Sequence, residues 1–214
     1  MPVPQLKELR RAYGFDEVAI VPGQVTINPD MASTEFTVGD YTFSIPILAS
    51  AMDAVVSPTF AGLMHEAGGL GVMNLEGVYT RYEDPFSVLE EIAAAPLAEA
   101  TALLQRIYTA PLKEELVGKR VREIKDTGAV CAISITPQNT KRLSPLAVEA
   151  GADIIVVQST VTTARHISRS YRGLIFSELK QLVKAPIIVG NCVGYGVALE
   201  LMETGVDGVL VGVG

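Results

Sequence analysis

No stretch of this 214-residue sequence holds enough consecutive apolar residues to cross a membrane. Its longest apolar runs are a handful of residues, against the roughly 20 that a spanning helix needs. Cysteine is scarce as well: Cys131 and Cys192 are the two present, far apart and without CxxC or other metal-ligand spacing. With no signal-peptide pattern over Met1–Arg11, this points to a reducing compartment, and a cytoplasmic location is expected. Positive charge is also short, with 17 Lys and Arg against 24 Asp and Glu and a net charge of −7. That balance argues against nucleic acid or an anionic membrane as partner. It leaves room for a small anion held by backbone N–H groups.

What is present reads as one globular core: 49% of residues are hydrophobic and 19% charged. The clearest internal signal is a junction used four times, in which a helix ends on acidic-small-Gly and a β-rich run follows. It occurs at Glu66-Ala67-Gly68, Asp126-Thr127-Gly128, Glu149-Ala150-Gly151 and Glu203-Thr204-Gly205. Each glycine suits the left-handed residue that closes a helix. The runs that follow, with two more opened by Pro46 and Pro186, give six core strands. They are continuously apolar, as in Ile154-Ile155-Val156-Val157, which fits strands buried on both faces of a parallel sheet.

The connecting helices are amphipathic. One carries Leu112, Leu116, Val121 and Ile124 on its apolar side, and the last carries Val197, Ala198, Leu201 and Met202. The charge-rich faces opposite are expected to be plain solvent exposure. Ahead of the first core strand, Glu17–Val21, Phe36–Val38 and Tyr41–Phe43 read as short strands, with Gly39-Asp40 as a hairpin turn. The spacing predicts extra helix over residues 79–109, with Asp84 as N-cap and Pro85 at the first helical position. The expected architecture is α/β: a TIM-type (β/α)8 barrel, incomplete, with about six of eight β/α units, since a full barrel takes about 250 residues. Residues 1–45 would be an N-terminal cover and 46–214 the partial barrel.

Ligands of such barrels meet the C-terminal ends of the strands. The polar residues expected there are Ser50, Met52 and Asp53; Asn74 and Glu76; Thr136, Gln138 and Asn139; Gln158, Ser159, Thr160, Thr162 and Thr163; Asn191; and Gly212 with Gly214. The set is rich in neutral hydrogen-bonding groups and poor in catalytic ones. Gly68-Gly69-Leu70-Gly71 opens a strand after a helix, the reverse of a dinucleotide fingerprint. Cys131 reads as a buried small hydrophobe, and Cys192 has no base beside it in sequence. His65 suits the end of a helix, and His166 stands in a loop, open either to solvent or to a cofactor.

Taken together, five ordered segments resemble the IMP dehydrogenase/GMP reductase family, in its IMP dehydrogenase-related branch. They are residues 16–23 (DEVAIVPG), 46–53 (PILASAMD), 68–72 (GGLGV), 189–191 (VGN) and 207–214 (DGVLVGVG). The resemblance implies a purine-nucleotide oxidoreductase that moves hydride between C2 of IMP, XMP or GMP and NAD or NADP through a cysteine-bound intermediate. It implies that Ser50, Met52 and Asn191 contact the nucleotide, and that Gln158, Ser159, Thr160, Gly212, Val213 and Gly214 meet the cofactor. The Gly214 carbonyl would be a ligand for a monovalent cation such as potassium, and the protein a homo-oligomer, a tetramer by analogy. The nucleophilic cysteine would lie beyond Gly214, so the sequence reads as C-terminally truncated and the 214-residue chain alone is expected to be inactive. The alternative is a catalytically inactive nucleotide-binding fragment. Gln158 stands where the dehydrogenases usually carry aspartate, Asn74–Gly77 replaces a His-containing stretch, and residues 79–109 are too few for a CBS pair.

Overall fold

The computed structural model describes residues 11–167 and 173–213. The chain divides into a unit ending at Ser33 and a second unit, Thr34–Val213. In the first, 3-10 turns occupy Phe15–Glu17 and Pro29–Met31. The strand expected over Glu17–Val21 is not formed. The Glu17 carboxylate instead accepts the Gly14 N–H at 3.0 Å, closing a local turn, and no described strand pairs with Val18–Val21. Short-range capping wins where the ladder partner is missing.

The second unit opens with a hairpin, β1 (Phe36–Val38) and β2 (Tyr41–Phe43), paired antiparallel around a left-handed Gly39. The barrel strands are β3 (Leu48–Ala49), β4 (Leu70–Asn74), β5 (Ala132–Ile135), β6 (Ile154–Gln158), β7 (Ile187–Cys192) and β8 (Gly208–Val211). They form one six-stranded sheet in sequence order, each parallel to the next. Between them run α1 (Pro58–Glu66), α2 (Pro85–Ala94), α3 (Leu97–Thr109), α4 (Glu114–Lys125), α5 (Pro137–Glu149), α6 (Phe176–Leu182) and α7 (Tyr195–Glu203). This is an incomplete TIM barrel, as the order of apolar runs predicts. The extra helices α2 and α3 occupy the expected stretch, and Asp84 accepts the Ser87 N–H as N-cap ahead of Pro85.

Two apolar layers explain why the strands do not alternate. Ile133, Ile135, Ile155, Val157, Ile187 and Val189 face the helices, in one cluster with Leu143, Val121 and Leu201. Their neighbours Ala132, Ile154, Val156 and Ile188 face inward, with Leu70 and Val72. The hairpin adds Val38 and Phe43 to this inner cluster and so covers one end of the barrel interior. Phe36 stacks on Phe43 at 4.8 Å. Met202 departs from expectation: it lies on α7 but is exposed, while Leu201 beside it is fully buried.

All four junction glycines have positive φ, from 79° to 107°. After two of them the chain reads Gly-x-Asp, and that aspartate fastens the neighbouring strand. Asp153 accepts the Cys131 N–H at 2.7 Å, and Asp207 accepts the Ile187 N–H at 2.8 Å. Lys125 pairs with Asp153 and Lys180 with Asp207. The charged face of α4 is therefore not all solvent-facing. Arg120 on that helix is buried and donates to the carbonyls of Tyr79, Tyr82 and Glu83 and to the Glu123 carboxylate. This pins the start of the inserted segment against α4.

Replacing Asp153 by Ala should orphan the buried Cys131 N–H and cost about 1–3 kcal/mol in urea unfolding. A loss below about 0.5 kcal/mol, the usual scatter of surface substitutions, would refute this role.

Candidate functional site at the C-terminal ends of the strands

Parallel pairing brings the exits of all six strands to one end, where three of the predicted residues meet. Ser50, Gln158 and Asn191 line a cavity of about 310 Å³ whose walls include Leu48, Val72, Val156, Ile188 and Leu210. Asn191 reaches it because the β7–β8 ladder slips between Gly190 and Cys192, a bulge that re-aims one side chain. The Gly190–Asn191 peptide is cis.

The two carboxamides are joined. Gln158 Nε2 donates to Asn191 Oδ1 at 3.0 Å, and Asn191 Nδ2 donates to the Gly212 carbonyl at 2.7 Å. Ser134 Oγ makes a long 3.5 Å contact to Gln158 Oε1. These bonds use one N–H of each amide, and each carboxamide carries a second. The cavity lining carries no charged side chain. Such a site reads hydrogen-bonding patterns on a flat neutral ring far better than it binds an ion.

A second cavity, of about 330 Å³, lies between the end of β5 and the loop after β6. Thr136, Gln138, Ser159, Thr162, Thr163 and His166 give it polar edges, with Leu174 and Phe176 as apolar wall. Thr162 is buried and donates to the Gly190 carbonyl at 2.6 Å, tying the two cavities together. Glu76 sits between β4 and the start of α5, accepting from the Thr136 N–H and hydroxyl and from the Asn139 side chain. Its charge is matched to the helix N-terminus.

The remaining predicted residues are less central. Met52 is exposed, as is Thr160, and neither lines these two cavities. Val213 is exposed beside the half-buried Gly212, and Gly214 lies outside the described residues. Gln138 and Asn139 belong to the first turn of α5. Tyr108 is a residue that the sequence did not mark. It comes from α3, and its hydroxyl donates to Asp53 Oδ2 at 2.5 Å. A tyrosine inside an amphipathic helix carries no motif, so this link needs the fold to be visible.

Residues 12–214 match the model of the IMP dehydrogenase / GMP reductase domain. The chain belongs to that family. An uncharacterized oxidoreductase of Mycobacterium tuberculosis (strain H37Rv) is 37% identical over 96% of this chain and 56% of its own length. The inosine-5'-monophosphate dehydrogenase of Cryptosporidium parvum is 26% identical over 97% of this chain and 53% of its own. The crystal structure of an IMP dehydrogenase/GMP reductase-like protein from Corynebacterium glutamicum superposes with a TM-score of 0.88 at 32% identity, covering 97% of this chain and 56% of that one. The chain thus spans about half the length of the family members it matches.

Neither cysteine lines either cavity. Both are buried, and Cys192 Sγ lies 3.6 Å from the Leu210 carbonyl. Burial, helped by the Asp153 carboxylate, pushes the Cys131 thiol up to about 12. Both thiols should stay silent to Ellman's reagent at pH 8 in the native chain and react together on denaturation. Fast reaction of either in the folded state would overturn this assignment.

Proposed function

We propose that this chain forms the nucleotide-binding part of an oxidoreductase that moves hydride between C2 of a purine nucleotide and NAD or NADP. The observation that carries the proposal is the joined amide pair Gln158–Asn191 in a neutral, apolar-walled cavity at the strand ends. A purine base offers ring nitrogens and an exocyclic group along one edge, which carboxamides can match with both donors and acceptors. Ser50 adds a hydroxyl to the lining of the same cavity. Family membership makes IMP, XMP or GMP the substrates to try first.

The residues around the second cavity fit a nicotinamide cofactor. Neutral hydroxyls and an amide suit ribose and carboxamide groups, and Leu174 with Phe176 suits a flat ring. Thr136, Gln138, Ser159 and Thr162 would hold it, and the cofactor would supply the hydride acceptor or donor. Thr162, spanning from Ser159 at 2.9 Å to the Gly190 carbonyl, keeps the cofactor wall and the nucleotide wall at fixed separation. That is the positional demand of hydride transfer. The covalent step is assigned to no residue of this chain, since both of its thiols are buried. No cation site is assigned, because Gly214 lies outside the described residues.

Two measurements test the proposal. Calorimetry should show IMP binding to the chain, with Asn191→Ala weakening it about 10- to 100-fold through lost hydrogen bonds. The intact protein should turn over IMP with NAD, or GMP with NADPH, read as absorbance of the reduced nicotinamide. No binding in the first and silence in both arms of the second would end this reading.

A further inference from the structure

The inserted helices α2 and α3 lie outside both cavities, yet one bond joins them to the substrate side. The turn after β3 is tight, with Met52 O accepting from the N–H groups of Val55 and Val56, at 2.9 and 3.0 Å. It carries Ser50 at one end and Asp53 in its middle. Asp53 is buried, at 7% exposure. Two segments converge on its carboxylate. Val78 N–H donates from the turn after β4 at 2.9 Å, Tyr108 O–H donates from α3, and Gly77 packs directly against it. A Cβ at residue 77 would stand 1.8 Å from Asp53 Oδ1, so only glycine leaves that space. Asp53 Oδ1 itself has no hydrogen-bond partner.

A buried carboxylate with one oxygen unbonded costs stability, so its value has to be sought in what it holds in place. Burial, reinforced by Asp53, raises the Tyr108 phenol above its ordinary range, which keeps the hydroxyl protonated and donating. Arg81, 5.9 Å over the Tyr108 ring, also donates from Nε to the Glu76 carbonyl at 3.1 Å. The insertion is thereby tied to the exits of β3 and β4 at once.

We propose that Asp53 and Tyr108 are positioning residues: their bond lets the α2–α3 insertion fix the Ser50–Met52 turn against the nucleotide. The proposal rests on the purine-nucleotide reading of the cavity. Its effect is on affinity through preorganisation, because an unpinned turn must be ordered by the ligand. Gly77 belongs to the same arrangement as the residue that admits the carboxylate.

The test compares Tyr108→Phe with Tyr41→Phe, which deletes a similar bond, Tyr41 O–H to Asp153 at 3.1 Å, away from either cavity. IMP affinity by calorimetry, melting temperature and amide hydrogen exchange are measured on the wild-type chain and both variants. Tyr108→Phe should weaken IMP about tenfold, the worth of one charge-assisted hydrogen bond, and speed exchange over residues 50–56. Tyr41→Phe should leave both unchanged. Equal losses in the two variants, or unchanged affinity and exchange in Tyr108→Phe, would overturn the proposal. If the wild-type chain does not bind IMP, the purine reading fails on its own, and exchange over 50–56 alone decides whether the Asp53–Tyr108 bond positions the turn: faster in Tyr108→Phe supports it, unchanged rejects it.

Discussion

Parallel pairing of consecutive strands is the constraint from which the other features follow. A strand that must run parallel to its predecessor needs a crossover, the crossover is a helix, and every strand then exits at the same end. Here that puts Ser50, Glu76, Thr136, Gln158 and Asn191 on one rim although the first and last are separated by most of the chain. The same constraint buries both faces of each strand, which is why Ile154–Val157 is apolar without alternation. The opposite end is left to structural work, and there the Gly-x-Asp turns fasten one strand to the next.

Much of this was legible in advance because each cue is local. A glycine after an acidic helix end, a proline at a strand entry and an Asp-Pro pair are read from a few neighbouring residues, and the strands and helices they predict are present. The fold class followed from their order. Sequence and structure differ where the outcome depends on a partner elsewhere in the chain. Val18–Val21 has the composition of a strand but no strand to pair with among the described residues, and a 3-10 turn stands before it instead. Arg120 looks like a surface charge, and its burial depends on three carbonyls of a segment some forty residues earlier.

The candidate site divides in the same way. Gln158 and Asn191 could be nominated from motif position, but their bond to each other comes from neighbouring strands and a bulge at Gly190. The family resemblance groups Gln158 with the cofactor side; its side chain lines the cavity shared with Ser50 and Asn191. Tyr108 could not be nominated at all, since its significance lies in reaching Asp53 across 55 positions of sequence. The rim presents neutral amides and hydroxyls, and its carboxylates are engaged in holding structure. Glu76 is consumed by the start of α5, and Asp53 Oδ2 by Val78 and Tyr108.

We propose that the cavity between Ser50 and Asn191 receives a purine base. A crystal structure of the chain grown with IMP tests it most directly. The base should lie within hydrogen-bonding distance of the Gln158 and Asn191 amides, with the apolar residues of β4, β6 and β7 beneath it. A nucleotide found outside that cavity, or one whose base touches neither amide, would contradict the account.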